Sequence, residues 1–180
     1  AWLSELRADA RARGISSATL DRALNGLTYE PRVVQLQQRQ PEARQTFAKY
    51  ISTRVTEGRL DRARRELTSN RSLLENVASR YHVQPRFIVA LWAVESDFGR
   101  DTGSWSTIQS LASLAYGGRR RDYFRRELLA ALSLLERMPE RIGITGSWAG
   151  AVGQCPFLPS NGLRRGAEFD GDGPAAARAG

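Results

Sequence analysis

The stretch FIVALWAVESDFGR, residues 87–100, ends a run of eight apolar residues on the carboxylate of Glu95. On a helix this carboxylate shares a face with Ile88, Leu91 and Trp92, so we predict that it lies on the apolar side. Burial and the negative end of the helix dipole both disfavour its charged form, and we expect a raised pKa. A carboxylic acid that stays protonated near neutral pH is what a general acid requires.

A general acid that cleaves a glycosidic bond usually works with a second carboxylate. Asp97 points to another side of the helix and Asp101 lies beyond Gly99, so neither is a natural partner. Either the partner comes from elsewhere, or one carboxylate suffices because the substrate supplies the nucleophile. The alternative to catalysis is that the helix tilts and Glu95 reaches solvent or pairs with an arginine.

Cys155 and His82 are each the only residue of their type in the chain. Together they could form a nucleophile and its base, but nothing around either residue is arranged for that chemistry. A single cysteine also excludes an intrachain disulfide.

The composition allows a folded domain and excludes a membrane span. Hydrophobic residues make up 41% of the 180 residues, and no apolar run approaches the roughly 18 needed to cross a bilayer. The N-terminal segment lacks the apolar stretch of a signal peptide, so the protein is cytosolic or a signal was removed. The net charge of +8 favours an anionic partner, although an arginine-rich composition can also reflect codon bias.

Helical patterns dominate the chain, no strand pattern is convincing, and we predict an all-α protein. Ser16–Ser17 form a helix start, as do Pro31, Pro41 and Pro85. The predicted helices are Trp2–Arg13, one that runs to Leu24, a long one over Glu42–Leu67 with an apolar stripe of Phe47, Tyr50, Ile51 and Val55, Arg71–Tyr81 with Leu73, Leu74 and Val77 facing inward, one from Pro85, Ile108–Tyr116 and Asp122–Met138.

A glycine-rich loop begins at Gly143, after the last predicted helix. We therefore divide the chain into a helical N-terminal region over 1–80, a core over 81–161 that carries this loop, and a frayed tail over 162–180.

Three motifs in order, FIVALWAVESDFGR, SLASLAYGGRRRDYFRREL and GSWAGAVGQCPFLPSN, resemble the lytic murein transglycosylases of the membrane-bound lytic transglycosylase B type. Residues 2–42 resemble the helical lead-in of the same family. The resemblance implies a lysozyme-like helical core. It also implies cleavage of the β-1,4 bond between N-acetylmuramic acid and N-acetylglucosamine in peptidoglycan, which leaves a 1,6-anhydromuramic end.

The resemblance also assigns residues. The catalytic glutamate of the family falls on Glu95, acting first as acid and then as base with help from the muramyl N-acetyl group, which explains the missing second carboxylate. Its arginine pair falls on Arg119 and Arg120, after Tyr116, where GGRRRDYFRR can bind peptide-stem carboxylates or form a solvated helix start.

The glycine-rich loop of the family falls on Ser147–Phe157. Its backbone amides, the Ser147 hydroxyl and Gln154 are expected to bind sugar and acetamido groups, unless the loop is an ordinary tight turn. Phe157 can stack on a sugar face or belong to the core.

This sequence departs from the family pattern at three places. Pro156 replaces an expected glutamine, which removes an amide side chain and a backbone donor and puts one subsite in doubt. The stretch EFDGDG resembles the start of a calcium loop through Glu168, Asp170 and Asp172, but the later ligands are absent, so we expect no cofactor and no tight Ca²⁺ site. The chain also stops where the family continues, which would leave Glu95 more exposed with a smaller pKa shift.

Three functions follow as hypotheses. The first is a peptidoglycan lytic transglycosylase, monomeric, in the periplasm or on the periplasmic face of the outer membrane, with glycan strands and other cell-wall enzymes as partners. The second is a remnant that binds peptidoglycan without cleaving it. The third is a basic nucleic-acid binder, although no recognition helix or stacking platform stands out.

Overall fold

A computed structural model describes residues 1–39 and 46–165 of the chain. The described part is helical, which confirms the predicted all-α fold, and one short 3-10 turn covers Pro139–Arg141. Its helices are α1 Trp2–Ala12, α2 Ser17–Leu24, α3 Pro31–Arg39, α4 Phe47–Arg54, α5 Glu57–Ser69, α6 Arg71–Tyr81, α7 Pro85–Ser96, α8 Thr107–Gly117, α9 Arg121–Arg137 and α10 Pro159–Arg165.

Several helix starts form where the sequence places a capping residue or a proline. The Ser16 side chain accepts a hydrogen bond from the Thr19 amide and caps α2. Pro85 stands at the start of α7, after a turn in which His82 takes a left-handed conformation with φ of 54°. Pro31 opens α3 in the same way.

The long helix predicted over Glu42–Leu67 is wrong, because the chain breaks between α4 and α5. Thr56 has an extended backbone and its side chain accepts a hydrogen bond from the Arg59 amide, so it starts a new helix instead of continuing the previous one. The predicted apolar stripe of Phe47, Tyr50, Ile51 and Val55 is exposed. Pro41 and residues 42–45 lie outside the described residues.

One hydrophobic cluster joins the N-terminal helices α1, α2 and α3 to α8 and α9. Its fully buried members include Leu6, Leu20 and Val33 from the first three helices and Leu111 and Leu128 from the last two. Helices on both sides of the predicted boundary at residue 80 therefore share one hydrophobic cluster, and the division itself stays a prediction.

Helices α4 to α7 contribute little to that cluster. Between residues 46 and 96 the buried apolar side chains are Leu74, Val89 and Ala93. Leu73, which we predicted to face inward, is exposed, and Val77 is half-buried. The large apolar residues exposed on these helices and the turn between them are Phe47, Tyr50, Ile51, Val55, Leu60, Leu73, Tyr81, Val83, Phe87 and Leu91.

A short antiparallel pair, which the sequence did not predict, follows α7. Strand β1, Trp105–Ser106, pairs with β2, Thr145–Gly146, so that the loop after α7 lies beside the start of the glycine-rich loop. Helix α10 then runs across the predicted boundary at residue 161, while residues 166–180 of the predicted tail lie outside the described part. Among the described helices, none has the length and apolar character needed to span a membrane.

Candidate active site

Glu95 lies in the last turn of α7 and is exposed. The buried face of this helix carries Val89, Ala93 and Ser96, whereas Leu91 is 61% exposed. The prediction that Glu95 lies on a buried apolar face is therefore wrong. Helix α7 is apolar on nearly every side before Glu95, so periodicity alone could not identify the face that packs.

Helix α7 ends in an unusual backbone conformation directly after Glu95. Asp97 and Phe98 both take left-handed conformations, with φ of 47° and 62°, and Gly99 follows with φ of 82°. The Ser96 hydroxyl accepts a hydrogen bond from the Gly99 amide at 3.0 Å. Two successive left-handed residues other than glycine are strained, and the chain leaves the helix sharply at this point.

Asp97, the carboxylate nearest to Glu95 in sequence, is bound by two arginines of α5. Its Oδ1 accepts from Arg59 Nε at 3.2 Å and from Arg62 Nη2 at 2.8 Å. Burial raises the pKa of Asp97, but the hydrogen bonds and charges of Arg62 and Arg59 outweigh it and hold this pKa below its usual range. Asp97 is therefore ionised and already bound by two arginines. It is not free to act as a second catalytic carboxylate, which agrees with the sequence prediction.

Gln154 connects the glycine-rich loop to α7. Trp92 Nε1 donates a hydrogen bond to Gln154 Oε1 at 2.8 Å, and the Trp92 ring makes an edge contact with Phe98 at 5.3 Å between centroids. A Cβ on Gly99 would lie 2.8 Å from Gln154 Cδ, so a larger residue there would force the Gln154 side chain to shift. Gln154 remains a predicted substrate ligand, with its amide NH₂ as the group left to donate.

Cys155 directly follows Gln154, whose hydrogen bond to Trp92 joins the glycine-rich loop to α7 three residues before Glu95. Although the residue is exposed, partial burial of its thiol raises the pKa of Cys155, and the negative charge of Glu95 raises it further. The two side chains are thus close enough to interact electrostatically. No hydrogen bond or ion pair to the Glu95 carboxylate occurs within residues 1–39 and 46–165.

This proximity makes the thiol a reporter of the charge on Glu95. The substitution Glu95→Gln removes the negative charge, so we expect the pKa of Cys155 to fall and its alkylation to accelerate at mildly alkaline pH. Iodoacetamide labelling across a pH series measures this, and the single cysteine makes the label site-specific. Glu75→Gln, on the exposed face of α6, is the matched control and should leave the labelling curve unchanged. Identical curves for all three proteins would contradict the proximity.

The glycine-rich loop is held by its own backbone. The Ser147 amide donates to the Ala151 carbonyl at 2.8 Å, and the Ser147 hydroxyl accepts from the Ala151 amide at 3.1 Å. Val152 and Phe157 then exchange two backbone hydrogen bonds. The Ser147 hydroxyl proton is left to donate to a sugar, and Phe157 is exposed and not in the core.

Tyr116, Arg119 and Arg120 lie together at the junction of α8 and α9. The Tyr116 ring packs edge-on against Trp2 and Tyr29. The Arg119 amide donates to the buried Gln37 side chain, and the Arg120 guanidinium lies 4.0 Å over the Tyr123 ring. Among the hydrogen bonds, ion pairs and ring contacts of the described residues, none joins this junction to Glu95 or to the glycine-rich loop. Their role in substrate binding stays a prediction.

Sequence reasoning missed Glu127, which anchors the end of the glycine-rich loop. This carboxylate of α9 is buried and accepts hydrogen bonds from the Ser160 amide at 3.0 Å and the Ser160 hydroxyl at 2.7 Å. It thereby caps the start of α10. The sequence signal that could have identified Glu127 is its position on the apolar face of α9, one turn from Phe124 and from Ala131.

The acidic residues of the possible calcium loop, Glu168, Asp170 and Asp172, lie outside the described residues. Within the described part, no three His, Cys, Asp or Glu side chains gather in a group that could hold a metal ion. The absence of a cofactor stays a prediction.

Comparison with solved structures identifies close structural relatives. SltB3 from Pseudomonas aeruginosa, crystallised with NAG-NAM-pentapeptide and with NAG-anhNAM-pentapeptide, is 36% identical with a TM-score of 0.91. The match covers 97% of this chain and 47% of SltB3. SltB1 from the same organism is 27% identical with a TM-score of 0.88, over 96% of this chain and 58% of SltB1.

Comparison with characterised proteins gives the same result. Membrane-bound lytic murein transglycosylase B of Escherichia coli is 35% identical over 95 residues, which are 52% of this chain and 26% of that protein. This chain spans about half of SltB3, and the aligned part is a quarter of the Escherichia coli protein. The family described as Transglycosylase SLT domain matches residues 1–176, and the chain belongs to this family of SLT-domain transglycosylases.

Proposed function

We propose that this chain is a lytic transglycosylase that cleaves the β-1,4 bond between N-acetylmuramic acid and N-acetylglucosamine of peptidoglycan. The observation that carries this proposal is the position of Glu95. Its carboxylate stands exposed at the end of α7, the helix that Gln154 of the glycine-rich loop contacts through Trp92, while Asp97 is bound by Arg59 and Arg62. Asp97 is therefore not free to act as the second carboxylate that glycosidases usually need to activate water.

A single carboxylate completes the reaction if the substrate supplies both nucleophiles. Glu95 first donates its proton to the glycosidic oxygen as the acetamido oxygen of the muramyl residue bonds to C1. The Glu95 carboxylate then takes the proton of the C6 hydroxyl, whose oxygen bonds to C1 and displaces the acetamido oxygen. No water is consumed, the product ends in a 1,6-anhydro sugar, and Glu95 regains its proton.

The exposed position of Glu95 suits a polymeric substrate that covers it. A glycan strand bound over the end of α7 removes water from the carboxyl, and burial favours the neutral acid that the first step needs. The Gln154 amide and the Ser147 hydroxyl are the donors that we propose to hold acetamido and hydroxyl groups of the strand. We place this activity in the bacterial periplasm, where peptidoglycan is accessible.

Digestion of purified peptidoglycan sacculi, followed by mass spectrometry of the soluble products, tests the proposal. The expected muropeptides carry anhydromuramic ends and are lighter by one water than products of hydrolysis. Products that have gained water would instead indicate a muramidase that uses a second catalytic group. Glu95→Gln protein purified in parallel is the control for contaminating enzymes, because it carries the same contaminants in active form.

Pro156 favours a second candidate function, binding without cleavage. It is exposed in the glycine-rich loop, directly after Cys155, and it lacks the backbone donor that another residue would present there. A chain of this kind would sediment with sacculi and release no muropeptides. Its affinity for peptidoglycan would then be its function.

A further inference from the structure

Three charged side chains join α5 to the end of α7, and we call them the Arg59–Asp97–Arg62 cluster. Arg62 makes a forked contact, with Nη2 at 2.8 Å from Oδ1 and 3.0 Å from Oδ2 of Asp97. Arg59 Nε lies 3.2 Å from Oδ1 of Asp97, and its Nη1 donates to the Arg54 carbonyl at 2.7 Å. The three side chains are only 18% to 23% exposed, so solvent screens the cluster weakly.

This cluster holds a residue whose backbone conformation is unfavourable. Asp97 lies at φ 47° and ψ 47°, in the left-handed region, and Phe98 follows with φ of 62°. Such conformations persist only where the surroundings fix them. The Arg59 and Arg62 contacts fix Asp97, and the ring contact with Trp92 fixes Phe98.

The same backbone turn carries Glu95, two residues before Asp97. The Asp97 amide donates to the Ala93 carbonyl at 3.1 Å, and the Phe98 amide donates to the Trp92 carbonyl at 3.3 Å. These bonds close the turn of α7 in which Glu95 sits. If Asp97 relaxed to an ordinary conformation, this turn would open and Glu95 would shift.

We propose that the Arg59–Asp97–Arg62 cluster positions Glu95, by holding the end of α7 in the strained conformation that points its carboxylate at the glycosidic oxygen. The proposal rests on the function proposed above. Asp97 is thus a positioning residue, two residues from the acid, and is not itself a proton donor. A displacement of about 1 Å can slow a reaction roughly 100-fold, so loss of the cluster should reduce turnover far more than substrate binding.

Asp97→Asn and Arg62→Lys test the cluster. Asparagine tolerates the left-handed conformation and keeps one acceptor but loses the charge, and lysine keeps the charge but loses the fork. The control is Asp61→Asn, which breaks the exposed Asp61–Arg64 ion pair on α5. With soluble uncross-linked glycan strands, we expect kcat to fall roughly 10- to 100-fold for both test variants, with KM little changed. The control should match the wild type.

A merely stabilising ion pair would give a different pattern. The melting temperature would fall, but kcat measured well below it would stay at the wild-type value, and this result would overturn the proposal. Strictly additive losses in the double variant Asp97→Asn with Arg62→Lys would also overturn it, because one cluster predicts that the second substitution adds little.

Hydrogen exchange separates failure of this inference from failure of the proposed function. Asp97→Asn should accelerate exchange of the amides of residues 97–99, and Asp61→Asn should not. If the wild type releases no muropeptides, the proposed function fails, while the exchange result still decides whether the cluster holds the end of α7. Unchanged exchange at residues 97–99 would overturn the inference whether or not the wild type is active.

Discussion

Glu95→Gln is expected to slow the release of anhydromuropeptides from sacculi by roughly 10²- to 10⁴-fold, the usual contribution of a positioned general acid and base. Glutamine has nearly the same size and shape as glutamate but can neither donate a proton to the glycosidic oxygen nor remove one from the C6 hydroxyl. The loss should lie toward the upper end of this range, because the same carboxylate serves both steps of the proposed reaction.

Two other carboxylates of the described residues are already occupied by structural contacts. Asp97 is ionised and bound by Arg59 and Arg62, and it lies beyond the turn that ends α7. Glu127 is buried and accepts two hydrogen bonds from Ser160. Both carboxylates therefore form structural contacts and are not free to act as the acid or base.

Two comparisons make this prediction specific. Glu75→Gln, the same substitution at an exposed position of α6, should leave the rate unchanged. Glu95→Gln should still sediment with sacculi as the wild type does, because an exposed amide preserves the surface of the site. A Glu95→Gln protein that retains more than about a tenth of the wild-type rate would exclude Glu95 as the sole acid and base.

The sequence predicted the parts of this fold that depend on neighbours in the chain. Ser16 and Pro85 start helices because a side-chain cap or a fixed φ acts within one turn, and the structure confirms both. Thr56 acts at the same range, but polar residues continue the helical pattern on either side of it and conceal the break. The predicted site residues Gln154 and Glu95 likewise came from motifs that are continuous in sequence.

Features that depend on distant parts of the chain could not be predicted. The exposure of Glu95 depends on which side of α7 packs against the rest of the protein. An almost uniformly apolar helix does not specify that side. Asp97 meets its two arginines across 35 and 38 residues, and Glu127 meets Ser160 across 33. Such contacts are formed by tertiary packing, and the residue types along the sequence do not specify which distant residues will pair.

Gly103→Ala is expected to destabilise the protein by about 2–5 kcal/mol, the largest loss we predict for a single added methyl group. Gly103 has φ of 87°, which is strained for any residue with a side chain. A Cβ there would lie 2.1 Å from the Gly146 carbonyl oxygen and 2.6 Å from the Ser147 amide nitrogen. Both atoms belong to backbone at the start of the glycine-rich loop, which cannot move aside without shifting that loop.

Gly143→Ala separates the clash from the strain. Gly143 has nearly the same φ, 86°, but a Cβ there meets nothing within 4 Å, so this variant should lose only the roughly 1–2 kcal/mol of left-handed strain. Urea unfolding of the two variants and the wild type measures the difference, with about 1–3 kcal/mol more expected for Gly103→Ala. Gly103→Ala should also lower glycan affinity, because displacing Ser147 moves a predicted sugar ligand. Equal losses for both variants would mean that the loop after α7 does not pack against the backbone of residues 146–147, and the site would then lack the rigid support that the structure assigns to it.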